Sequence, residues 1–133
     1  MNHELEIEPL DSKVSDAEWQ TRRDLAAAFR VAYHYGWNDT INNHISARLP
    51  DEPEHFVMNP AGIGWDEVTA SSLIKADIQG NVLSDSALKL AKSGQNFHTI
   101  VQRQRSDLTC VFHIHPADGV IISSMAGGLQ FFD

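Results

Sequence analysis

Two histidines stand one residue apart in Phe112-His113-Ile114-His115-Pro116. On a strand, positions i and i+2 face the same side, with Cα atoms about 6.5–7 Å apart. Two neutral imidazoles placed this way can converge on one cation at about 2.0–2.1 Å each. Pro116 ends the strand and puts the pair at its C-terminal end, where open α/β sheets hold their ligands. The chemistry on offer is therefore metal binding. The spacing leaves a second reading open, two unrelated histidines with one in the core and one on the surface, because two ligands do not make a site.

Positioning such a pair requires a sheet and helices around it. Ser15-Asp16-Ala17-Glu18 has the capping-box form. A helix is expected from there, with Trp19, Ala26, Phe29 and Tyr33 recurring at helical spacing and Leu25, Ala28 and Ala32 widening the apolar stripe. Gly36 is its expected stop. His44 to Leu49 alternates, with Ile45, Ala47 and Leu49 on one face, and reads as a strand. Phe56-Val57-Met58 and Leu73 to Ile78 are further strands, separated by turns at 50–53 and 59–62. Residues 84–95 are polar and read as a loop. A helix over Asn96–Arg105, with Phe97, Ile100 and Val101 inward, leads to a central strand over Leu108–Ile114. A helix over Ala117–Met125 follows, broken by Gly127-Gly128, and another strand begins at Leu129. Short strands followed by helix–strand–helix units give an α/β class with a mixed sheet flanked by helices. Residues 1–14 are an acidic arm, and 15–133 form the domain.

The bulk numbers narrow the function. Eighteen acidic residues against ten Lys and Arg give a net charge of −8, which opposes binding to a nucleic-acid backbone. The close basic sets, Arg22-Arg23 and Arg103 with Arg105, read as solvated helix faces. The one cysteine, Cys110, excludes an intrachain disulfide and fits a reducing compartment. Its apolar neighbours predict a buried, inert thiol. No signal-peptide core opens the chain and no apolar run is long enough to span a bilayer. A cytoplasmic protein with no membrane association is expected.

Several segments together resemble the class II aldolase/adducin family. The run Phe97-His98-Thr99-Ile100-Val101-Gln102-Arg103-Gln104-Arg105-Ser106-Asp107-Leu108 leads into His113-Ile114-His115-Pro116, similar to that family's helix histidine, R-x-D turn, apolar strand and His-x-His. Asn42-Asn43-His44-Ile45-Ser46-Ala47-Arg48 resembles its first ligand loop and strand. Asn59-Pro60-Ala61-Gly62, then Val68-Thr69-Ala70-Ser71-Ser72-Leu73, Asp77 and Gly80, resembles its next stretch. The order holds from about Trp19 onward, and the segments around His44 and Glu67 are closest to the adducin branch.

The resemblance implies a divalent metal, typically zinc, on three histidines. His113 and His115 match the first two; the third lies well downstream in family members, so the sequence is expected to be truncated at its C-terminal end. It implies a small anionic hydroxy-carbonyl ligand, often a sugar phosphate, and a symmetric homo-oligomer. Asn43 matches the anion-contacting asparagine, Gly62 a glycine that approaches the ligand, and Lys92 and Ser93 stand where the family has paired serines. Turn residues are the other use open to Asn43 and Gly62. The enzymes carry an acid/base glutamate four residues before the helix histidine, and here that position is Gly94, which has no ionisable group. His98 is expected to be structural, and His34, His44 and His55 are expected at the surface or in turns rather than as ligands, with His44 near the expected pocket. Two functions follow: a metal-dependent lyase with reduced chemistry, or a non-catalytic adducin-like interaction domain.

Overall fold

The computed structural model describes residue 10 and residues 13–130. The expected arm at 1–14 and the last strand beyond Leu129 fall largely on residues outside these. Helix α1 spans Asp16–His34. The Ser15 side chain accepts from the Glu18 amide at 3.1 Å, so the cap read from the sequence is formed. The helix ends in two stacked turns of backbone hydrogen bonds. Gly36 N donates to Tyr33 O and Trp37 N donates to Ala32 O at 3.0 Å. Gly36, at φ 67°, supplies the left-handed residue this ending needs.

Strands β1 (His44–Arg48), β2 (His55–Met58), β3 (Ile74–Asp77) and β4 (Cys110–His113) form one sheet in the order β3-β2-β1-β4. The α/β class holds. Every pair among these strands is antiparallel, where a mixed sheet was expected, and β4 lies at the sheet's edge among the described residues rather than at its centre.

The alternation of β1 divides the molecule. Ile45 and Leu49, with Ala47, face α1 and join Leu25, Phe29, Ala32, Trp65 and Val68 in the main core. Phe29 and Trp65 meet edge to face at 5.0 Å. Two helix-face expectations are corrected here. Tyr33 is exposed, whereas Arg22 is buried. The Arg22 guanidinium binds Glu18 at 2.8 Å and donates to Leu73 O at 2.7 Å. Lys75 meets the same Glu18 at 2.9 Å and Glu52 at 2.7 Å. A long side chain can lie inside when its charge is paired and its N–H groups find carbonyls.

Helix α2 spans Lys92–Gln104, starting four residues earlier than expected, and α3 spans Ala117–Ser124. The inward face of α2 is Gly94, His98, Thr99 and Gln102, while Phe97 and Ile100 point outward, about half exposed. The helix covers the face of β1 that carries His44 and Ser46, so its buried side is polar to match. Helix α3 buries no residue among those described. Cys110 is exposed at the β4 edge rather than buried. No helix among the described residues is long and apolar enough to cross a membrane.

Candidate metal and ligand site

The antiparallel register sets His44 of β1 directly opposite His113 of β4. Directly opposed residues share a face, and the two rings stack with centroids 4.5 Å apart and planes 26° from parallel. His115 follows the strand. Its backbone N–H donates to Trp37 O at 2.9 Å, which pins the segment to the turn after α1. Its ring stands perpendicular to that of His113, and the two Nε2 atoms are 3.2 Å apart. Two nitrogens held tetrahedrally on one ion at about 2.0–2.1 Å would be separated by about 3.3 Å. The pair therefore fits two positions of a metal centre.

The surroundings of His115 support that fit. Its Nδ1 lies 3.3 Å from the Asp39 carboxylate. A carboxylate on Nδ1 favours the proton there and leaves the Nε2 lone pair outward, as in histidine ligands generally. Burial, and then the charge of neighbouring His115, holds His113 below the usual imidazole range, favouring its neutral, ligating form. Its Nδ1 is buried without a hydrogen-bond partner among the described residues. Among those residues no group of three or more His, Cys, Asp and Glu is gathered for a metal, so this chain's described part offers two donors.

Behind the pair lies a buried polar chain that runs from α2 through β1. Gln102 Nε2 donates to Ser46 Oγ at 3.1 Å, Ser46 Oγ meets His98 Nδ1 at 2.7 Å, and His98 Nε2 meets His44 Nδ1 at 3.0 Å. Burial pushes His98 down to about 3, with His44 and His113 adding to the effect. Burial, then His113 and His115, pushes His44 down to about 4. Both rings are neutral near pH 7. His98 is structural as expected. His44 is buried, which corrects its expected place at the surface or in a turn. Its signal was available: His44 and Ser46 alternate against Ile45 and Ala47, so the strand's second face was polar and needed a polar partner.

The other candidate residues are spread around this cluster. Asn43 is buried just before β1. Its Oδ1 accepts from the Asp39 amide, and its Nδ2 has no partner among the described residues. Gly62 lies in an exposed turn at φ 77°, where a Cβ would meet nothing within 4 Å. Lys92 and Ser93 are exposed at the start of α2, and no side chain caps that helix. Amides left free in a first turn favour anions. Gly94 is glycine for want of space. A Cβ there would sit 2.5 Å from His44 Cδ2 and 2.7 Å from Nε2. Two clefts, about 650 and 580 Å³, lie elsewhere: one beside Glu18 and Lys75, the other between α1 and β4. Neither is lined by a histidine.

Residues 23–133 match the model of the class II aldolase and adducin N-terminal domain. The chain belongs to that family. A solved aldolase II superfamily protein from Pseudomonas syringae is 40% identical with a TM-score of 0.84, covering 90% of this chain and 48% of that one. The L-fuculose 1-phosphate aldolase of Glaciozyma antarctica is 25% identical with a TM-score of 0.74, covering 80% of this chain and 44% of that one. Mouse alpha-adducin is 40% identical over 110 residues, 81% of this chain and 15% of adducin. The chain thus spans about half the length of the bacterial relatives it matches. Aldolases and adducins, the second being the branch the motifs resemble more, are both among these relatives.

Proposed function

We propose that this chain supplies the first two histidine ligands, His113 and His115, of a divalent-metal centre that acts on a small hydroxy-carbonyl compound. The observation that carries this reading is the 3.2 Å approach of the two Nε2 atoms, with Asp39 on the far nitrogen of His115. Zinc is the expected ion, since imidazole suits it and neutral rings bind it. Bound there, the metal would act as a Lewis acid on a carbonyl oxygen, the chemistry that aldol cleavage and related enolate reactions need. The chain's own contribution is to hold the ligand. The Asn43 amide, the Gly62 turn and the Lys92–Ser93 end of α2 are the groups proposed to receive its anionic part. The similarity to an L-fuculose 1-phosphate aldolase supports a phosphorylated sugar or a related compound.

A second reading, a non-catalytic adducin-like interaction domain in a homo-oligomer, is favoured by Gly94 and by the identity to alpha-adducin. No carboxylate stands at Gly94, and none fits there while His44 holds its place. A positioned acid/base typically contributes on the order of 10²–10⁴ in rate, so turnover is expected to be slow. The test is zinc titration followed by retro-aldol assay of sugar phosphates, using the full chain and its His113→Ala and His115→Ala variants. Zinc bound by the wild type and weakened in both variants supports the metal reading. Undiminished affinity in both variants removes it. Measurable cleavage that vanishes with the histidines separates the lyase from the interaction domain.

A further inference from the structure

We infer that His44 presents a fixed Nε2–H donor to an oxygen of the bound ligand, a carboxylate or carbonyl, beside the metal pair. The inference rests on the metal-site reading above and adds a ligand-contacting residue to it.

With the Gln102 amide nitrogen turned toward Ser46, the hydrogen-bond chain implies a direction for each proton along it. Gln102 gives an N–H to Ser46 Oγ, so the Ser46 hydroxyl turns its own hydrogen toward His98 Nδ1. With Nδ1 accepting, a neutral His98 carries its proton on Nε2 and donates it to His44 Nδ1. With Nδ1 again accepting, neutral His44 must carry its proton on Nε2. That N–H has no acceptor among the described residues. It lies over Gly94, in the space a side chain on that residue would fill. Its ring is stacked on His113. A buried ring with one nitrogen satisfied and the other offered beside a cation site is placed to bind an acceptor oxygen.

Ser46, His98 and Gln102 are then positioning residues, since none of them meets the ligand. Their role is to fix which nitrogen of His44 is protonated. The reverse wiring, with Ser46 and the Gln102 carbonyl turned about, would leave an Nε2 lone pair and make His44 a possible third metal ligand. The two arrangements differ in an observable way.

Long-range ¹H–¹⁵N correlation spectra of the metal-free chain report the tautomer of His44 directly. The Nε2–H form is expected, and the Nδ1–H form overturns the inference. Ser46→Ala should mix the two tautomers at His44, which a serine that merely fills space would not do. With zinc present, oxalate serves as the carboxylate probe. His44→Leu should weaken oxalate about tenfold or more, the size of a hydrogen bond to a charged oxygen. His44→Gln, which keeps an N–H near the same place, should restore most of that loss. Unchanged oxalate affinity in His44→Leu overturns the inference, as does loss of zinc from that variant, which would make His44 a ligand. Failure of the wild type to take up zinc would instead sink the metal reading, and the tautomer would still decide the donor.

Discussion

The two faces of strand β1 are built on opposite principles. Toward α1 it offers Ile45, Ala47 and Leu49 to an apolar core around Phe29 and Trp65. Toward α2 it offers His44 and Ser46 to a hydrogen-bonded seam with His98 and Gln102. Burial of the first face is favourable in any arrangement that excludes water. The second is tolerable in few arrangements, because each polar group left unpaired costs more than its bond returns. Stability comes from the first face, and fixed direction from the second.

The sharpest way to break the first face is Phe29→Ala. It removes a fully buried ring that packs edge to face on Trp65 and should cost about 3–5 kcal/mol. Urea unfolding measures it. A loss below about 1 kcal/mol would mean that the core lies elsewhere.

Acid should attack the second face. His98 titrates near 3 in the fold and near 6.5 unfolded. Its folded value is lowered, so its contribution is full above about pH 6.5 and is lost as pH falls toward 3. The slope from this one residue is about 1.4 kcal/mol per pH unit in that window. The rings facing it are His44 from β1 and, further off, His113 from β4. His98→Gln should flatten the acid limb of the stability curve. An unchanged limb would show that His98 is not the group responsible.

Gly94→Ala sets the faces against local propensity. Alanine normally stabilises a helix interior by about 1 kcal/mol over glycine. Here its methyl meets a His44 ring that His98 and His113 hold from both sides. A net destabilisation of about 1–3 kcal/mol is expected. A stabilised variant would show that the ring is free to move. Glutamate at 94 faces the same collision, so restoring that side chain alone should not restore chemistry.

The smallest expected effect on the fold is that of Asp39→Asn, which touches neither face. It should lower zinc affinity about 10–100-fold by loosening the His115 ring, with denaturant midpoints almost unmoved.

The comparison also explains what could be read from the residues alone. Helix α1 was legible because its cap, stripe and glycine stop agree, and β1 because its apolar half alternates. The His113/His115 pair was legible from strand periodicity. Helix α2 was misjudged in start and face, since hydrophobic periodicity assumes that the buried side is the apolar side. There it selects Phe97 and Ile100, which point outward. His44 was misplaced for the same reason. A histidine is normally assigned to the surface, and its burial depends on partners 54 residues away. Arg22 was misjudged because its carbonyl and carboxylate partners come from a later turn and from one helical turn back.

The turn after α1 has a bearing on evolution as well as on geometry. Trp37, placed by the helix ending, accepts from the backbone of His115. Two residues later Asp39 steers the ring of that same histidine. One short stretch therefore acts as a gauge with two marks, one for where the chain passes and one for how the ring is turned. A gauge of this kind tolerates exchange of residues between its marks far better than a change in their spacing. Insertions and deletions over 36–42 should be far rarer among metal-binding relatives than in the turn at 50–53, which serves the strands on either side and no ligand.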